Sequence, residues 1–159
     1  MALTGSDADH LRTAIEIARH ARNNGNHPFG AILVDATGTQ VLAAENSVVT
    51  GRDVTGHAET NLVRQAGGRY GADELAAYTL YTSTEPCAMC AGAIYWAGIG
   101  RVVYALGEND LYEMTGANPE NPTLSLPCRE VFARGQRAVT VDGPADLPEA
   151  RAVHAGFWT

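Results

Sequence analysis

Apolar residues recur every three or four positions between Ser6 and Asn24. Leu11, Ala14, Ile15, Ala18 and Ala21 fall on one face of a predicted helix, with Ser6 or Asp7 placed to cap its start and Gly25 to end it. The pattern then changes period. Phe29 to Asp35 is a strongly apolar run that predicts a strand, Thr37-Gly38 a turn, and Gln40 to Val49 the partner strand of a hairpin. Gly56 leads into a second helix from His57 to about Gln65, which Gly67-Gly68 stops. Tyr78 to Ser83 reads as a strand. Pro86 suits the first position of a helix from Cys87 to about Trp96, closed by Gly98 and Gly100. Arg101 to Leu106 is another buried strand, Leu111 to Leu126 is irregular, and Cys128 to Ala133 is helical. Arg137 to Asp142 alternates as a strand, Leu147 to His154 is a last helix, and an aromatic tail follows.

Strands alternating with helices predict an α/β layered fold. The hairpin at the start and the helical connections later on predict a mixed sheet of about five strands. With 159 residues and no repeat, the chain has the size of one domain, 1–159, and can bury a real core without disulfide staples.

Charge narrows the function. Eleven Lys and Arg against 18 Asp and Glu give a net −7, unlike the basic face of a protein that grips phosphate backbones. Nucleic acid is therefore a disfavoured partner. Met1 to His10 has no basic stretch followed by an apolar run, and no segment has the apolar length to span a bilayer. Of three cysteines, two form a C-x-x-C pair, which in a reducing compartment is a metal or redox site. The expectation is a cytoplasmic protein without membrane contact.

The chemistry concentrates in His57-Ala58-Glu59 and Pro86-Cys87-Ala88-Met89-Cys90. His57, Cys87 and Cys90 offer one imidazole and two thiolates to a zinc ion, and three protein ligands leave one tetrahedral position for water, as in catalytic sites. All three sit at predicted helix starts, where free N–H groups and the helix dipole favour thiolates. Glu59, two residues beyond His57, points to another side of its helix turn and is assigned as the proton shuttle. Alone, the C-x-x-C pair also fits a redox pair or half a zinc ribbon. A ribbon needs a second pair that Cys128 cannot supply, and a redox pair gives His57 and Glu59 no role. The combined pattern is that of zinc deaminases.

On HPFGAILVD, TGHAETNLVR and TSTEPCAMCAGAIYWAGIGRVVYA, the chain resembles the zinc-dependent cytidine/deoxycytidylate deaminase superfamily. Histidine as the first ligand resembles the branch of guanine deaminases, yeast-type cytosine deaminases and tRNA adenosine deaminases. The resemblance implies a three-layer, cytidine-deaminase-like fold with a five-stranded sheet flanked by helices, one zinc ion per subunit, and a homodimer. It implies that Asn46 hydrogen-bonds the base and that backbone N–H groups of Ala58 and Cys87 meet its reacting edge. Phe29 and Trp96 would wall a flat ring, and Trp158, in the tail 155–159, is similar to a lid that closes over the base. The implied reaction is hydrolytic deamination of a nucleobase or nucleoside, with guanine or a related aminopurine ahead of cytosine, and tRNA adenosine as a further alternative. The acidic pair of the guanine branch has no match in Thr115-Gly116-Ala117-Asn118-Pro119-Glu120, and Thr115-Gly116-Ala117 is similar to the tRNA enzymes. A zinc-stabilised binding module is the non-enzymatic rival, and Glu59 argues against it.

Overall fold

The computed structural model describes residues 3–159. Helix α1 (Gly5–Asn23) is the long amphipathic helix of the sequence pattern, and its buried face carries Leu11, Ala14, Ile15, Ala18 and Ala21. Its cap is Thr4 rather than Ser6 or Asp7: the Asp7 N–H donates to Thr4 Oγ1 at 3.1 Å, and the Asp7 carboxylate accepts the Thr4 N–H at 2.9 Å. This reciprocal box frees one Asp7 oxygen for a deeper task. Tyr81 donates its hydroxyl to Asp7 at 2.7 Å, and Arg101 bridges Asp7 and Asp142. Burial alone would raise the Asp7 carboxyl, but the Arg101 guanidinium, with the Thr4 and Tyr81 bonds, holds it well below the usual carboxylate range.

Strands β1 (Gly30–Val34) and β2 (Gln40–Glu45) form the expected hairpin. The second strand stops at Glu45, short of the expected Val49, because the Asn46 side chain accepts the Val48 N–H at 3.1 Å and turns the chain into a short helix, α2 (Val48–Gly51). Helix α3 (Ala58–Gly67), a helical turn α4 (Ala72–Leu75), β3 (Thr79–Thr84), α5 (Ala88–Ala97) and β4 (Arg101–Leu106) follow. The last part holds α6 (Glu108–Thr115), α7 (Cys128–Ala133), β5 (Thr140–Asp142) and α8 (Pro148–Ala152). Of the expected irregular stretch Leu111 to Leu126, only 116–126 lies outside helices and strands.

The sheet order is β2-β1-β3-β4-β5, antiparallel through β1 to β3 and parallel from β3 to β5. Alternation along the central strands makes two cores. Leu33, Leu80, Val102 and Tyr104 face α3, α5 and α7, while Ile32, Tyr81, Val103 and Ala105 face α1 and α8. Helices on both faces of a mixed five-stranded sheet give the expected three layers. Gly30 is required by this packing, since a Cβ there would lie 2.4 Å from Ala14 O and 2.5 Å from Ala18 N. At the end of α5, Gly98 adopts φ +93°, a left-handed turn that sends the chain into β4.

Because β3 and β4 run parallel, their carboxyl ends lie side by side, with Thr84 paired to Leu106. Open α/β sheets bind ligands at such an edge. Glu85-Pro86-Cys87 leaves β3 there, and Gly107-Glu108 leaves β4 there.

Candidate active site

His57 is the N-cap of α3 and Cys87 the N-cap of α5, and these helices pack together, so both N-termini point at one spot. Cys90 lies one turn into α5. The ligand atoms of His57, Cys87 and Cys90 all lie within 4.8 Å of one another, and Cys87 Sγ is 3.5 Å from His57 Nδ1. A tetrahedral zinc with bonds of about 2.0–2.3 Å needs its donors roughly 3.5 Å apart, so the three side chains fit that ion with small rotamer adjustments. Hydrogen bonding between the two cysteines pushes the Cys87 thiol down and the Cys90 thiol up. The bond to Cys87 pushes His57 up. The lowered Cys87 thiol gives the cluster one anionic sulfur, which suits it to a cation.

Glu59 stands in the first turn of α3, buried, with Thr82 of β3 donating its hydroxyl to Oε1. Burial pushes the Glu59 carboxyl up and the Thr82 bond opposes it. Glu59, His57 and Cys87 open onto a cavity of about 450 Å³, in the size range of small-molecule sites.

The structure brings Phe29, Asn46, His57, Glu59 and Cys87 together around this cavity, with Cys90 buried behind Cys87. The Asn46 Oδ1 is used by Val48, which leaves the amide N–H₂ as the donor for an occupant. Ala58 is fully buried at the start of α3, outside the lining side chains. Two expected positions lie elsewhere. Trp96 is 84% exposed on the outer face of α5, because nine residues at 100° each turn it to the side opposite Cys87. Trp158 is buried behind the cavity wall: its ring centroid lies 5.3 Å from His27 and 6.1 Å from Phe29, and it does not line the cavity.

Sequence reasoning missed Glu108 and Glu85 and, of the rim at 119–124, singled out only Pro119 and Glu120. Glu108 follows β4, and burial, then the charges of Cys87, Glu85 and Glu59, push its carboxyl up to about 7. Glu85, next to Pro86, accepts the backbone N–H of Glu108 at 3.0 Å and that of Cys128 at 2.9 Å, so one carboxylate ties down the starts of α6 and α7. The 119–124 stretch forms the rim, where Glu120 meets Nε2 of buried His27 at 3.2 Å. The available signal was topological: a residue just beyond a parallel strand's carboxyl end is a ligand candidate.

Known proteins are similar to this chain. A family model described as the cytidine and deoxycytidylate deaminase zinc-binding region matches residues 4–106. A probable cytosine deaminase of Schizosaccharomyces pombe is 41% identical over 156 residues, covering 98% of this chain and 94% of that protein. A guanine deaminase of Bacillus subtilis is 42% identical over 104 residues, covering 65% of this chain and 66% of that one. The solved guanine deaminase from Nitrosomonas europaea superposes with a TM-score of 0.75 at 26% identity, over 96% of this chain and 84% of that one.

Proposed function

Since the chain belongs to the cytidine and deoxycytidylate deaminase family, a family of hydrolytic deaminases, we propose that it deaminates a nucleobase or nucleoside, with guanine or a related aminopurine as the favoured substrate. The observation that carries this reading is the buried Glu59 carboxylate sharing one cavity with His57 and Cys87, which together with Cys90 behind them form a three-donor cluster. Zinc, when held by those three side chains, would lower the pKa of a water and so supply a nucleophile near neutral pH.

The chain's own groups do the rest. Glu59 takes the proton of the attacking water and returns protons to the ring nitrogen and to the departing amine. A C–O bond forms at the ring carbon, the C–N bond breaks, and ammonia leaves without any redox change. Thr82 fixes the carboxylate through its hydroxyl. The Asn46 amide donates to an acceptor on the base, Phe29 walls the ring, and the N–H groups of Ala58 and Cys87 meet the reacting edge. Two helix N-termini offset the negative charge of the sulfurs.

Two features support a purine: the volume of the cavity, generous for a single ring, and the likeness to guanine deaminases. The second reading is cytosine, favoured by a relative that matches almost the whole chain. We further infer a single domain over 1–159 with one zinc per subunit, working in the cytoplasm as a homodimer, with Trp96 and Met89 on α5 as apolar surface that a second copy would cover. No helix among the described residues is long and apolar enough to cross a membrane.

Ammonia release from guanine, cytosine, adenosine and tRNA by the zinc-loaded protein tests the reading. Turnover of guanine well above the others is expected. Turnover of cytosine alone would move the assignment to the second reading, and activity confined to tRNA would overturn both.

A further inference from the structure

Glu108 is 92% buried, since only 8% of its surface is accessible, and it lines the cavity together with His57, Glu59 and Cys87. Its backbone N–H is fixed by Glu85 Oε2. Its carboxylate oxygens accept no hydrogen bond from any described residue, side chain or backbone. Buried carboxylates in folded proteins are paired or hydrogen-bonded, because an unmet acceptor loses its water without compensation. Glu59 has Thr82, Glu85 has two backbone N–H groups, and Asp7 has Arg101 and Tyr81. Glu108 alone of this buried carboxylate set turns both oxygens, without a protein donor, to the open cavity, so they meet water when the cavity is empty and are placed to take a donor from a base that displaces it.

The anchoring argues for a recognition role. Glu85 has its own N–H bonded to Leu106 O at 2.7 Å, so the carboxyl ends of β3 and β4 and the start of α6 form one hydrogen-bonded frame. Glu108 begins α6 directly on that frame, at the carboxyl end of β4, while Cys87 follows the end of β3 two residues after Glu85. A carboxylate on so rigid a mount holds a fixed relation to the reacting centre, as specificity requires. Its chemistry selects the ligand: protonated or ionised, the carboxyl keeps an acceptor oxygen, so it matches a ring N–H edge and rejects the same edge carrying an alkyl group.

Resting on the base-deaminase reading above, we infer that Glu108 is a specificity-determining residue that accepts a hydrogen bond from an unsubstituted ring N–H of the substrate base. It complements Asn46, which presents a donor, so the two side chains read opposite polarities on the ring.

The test uses the zinc-loaded protein, the base it turns over, and the singly ring-N-methylated derivatives of that base. A site built to pair a polar edge discriminates steeply when the partner is lost. Wild type is expected to reject one methylated derivative by about 100-fold or more in kcat/KM. Glu108→Gln is expected to lose about 100-fold on the parent base and to bring that derivative within about 5-fold of it. Glu108→Asp keeps the acceptor and is expected to retain part of the discrimination, which provides the reading if the Gln variant proves insoluble. A Gln variant that turns over the parent base at the wild-type rate, or an Asp or Gln variant that discriminates as sharply as wild type, overturns the assignment while leaving the deaminase reading in place. Wild type inactive on every base removes the deaminase reading and the assignment with it.

Discussion

Trp158 donates its indole N–H to Nδ1 of His154 at 3.0 Å, one helical turn back, with both rings buried against Phe29. The last residues therefore brace the wall of the candidate active-site cavity from behind. Arg22 locks this brace to α1 by donating to the carbonyls of Val153 and Ala155.

Removing that brace has a measurable cost. Trp→Ala in a core costs about 3–5 kcal/mol, and a site near a chain end falls toward the lower bound. Trp158→Ala is expected to lower Tm by roughly 6–12 °C, at about 2–4 °C per kcal/mol in a chain of this size. It should also weaken kcat/KM, because His27 and Phe29 lose their backing. Calorimetry showing an unshifted Tm would contradict this account.

His154 makes the same region sensitive to acid. Burial, then the Arg22 charge, pushes its imidazole down to about 4, so the folded protein keeps it neutral while the unfolded chain protonates near 6.5. Stability from this group is complete above pH 6.5 and is lost as pH falls toward 4, by about 3 kcal/mol in all. Glu108, pushed up to about 7, acts in the opposite direction over part of this range. The contribution is therefore read as the difference in urea unfolding between wild type and His154→Asn, whose amide oxygen can still accept from Trp158. A difference that stays flat from pH 7 to 4.5 would refute it.

Glu59→Gln keeps an oxygen for Thr82 and leaves the three metal donors in place, but it cannot carry a proton. Turnover is expected to drop by about 10²–10⁴-fold, the usual share of general acid–base catalysis, with zinc content unchanged by elemental analysis. Retained activity would remove Glu59 from the mechanism.

Glu85→Gln separates positioning from chemistry. The amide has one acceptor oxygen for two backbone N–H groups and turns its own N–H₂ toward the other, a cost of about 1–3 kcal/mol. The starts of α6 and α7 should loosen while the ligands on α3 and α5 stay. A KM raised about 10-fold or more, with kcat within about 3-fold, is the expected signature, consistent with roughly 1.4 kcal/mol per decade. A fall in kcat at constant KM would assign Glu85 to the chemical step instead.

Local patterns carried much of the fold. The apolar stripe of α1, the runs at β1, β3 and β4, and the motif around Cys87 are decided by neighbours in sequence, so reading them needed no tertiary information. The cluster of His57, Cys87 and Cys90 was legible because these residues sit at helix starts that glycine and proline announce. What escaped depends on distant packing. Asn46 ends β2 by a side-chain bond that alternation does not reveal. Glu108 and Glu85 become neighbours only when β3 and β4 align in parallel. Trp96 was placed at the site by its motif, and helical geometry then turned it outward.

The double anchorage at Glu85 makes the stretch between Glu108 and Cys128 an exchangeable segment. Both of its ends hang from one carboxylate, while the metal donors belong to other helices. Insertions or replacements within 116–126 would re-line the mouth of the cavity without disturbing the reactive centre. A change of diet, from one ring to another, needs only a graft between two fixed backbone N–H groups.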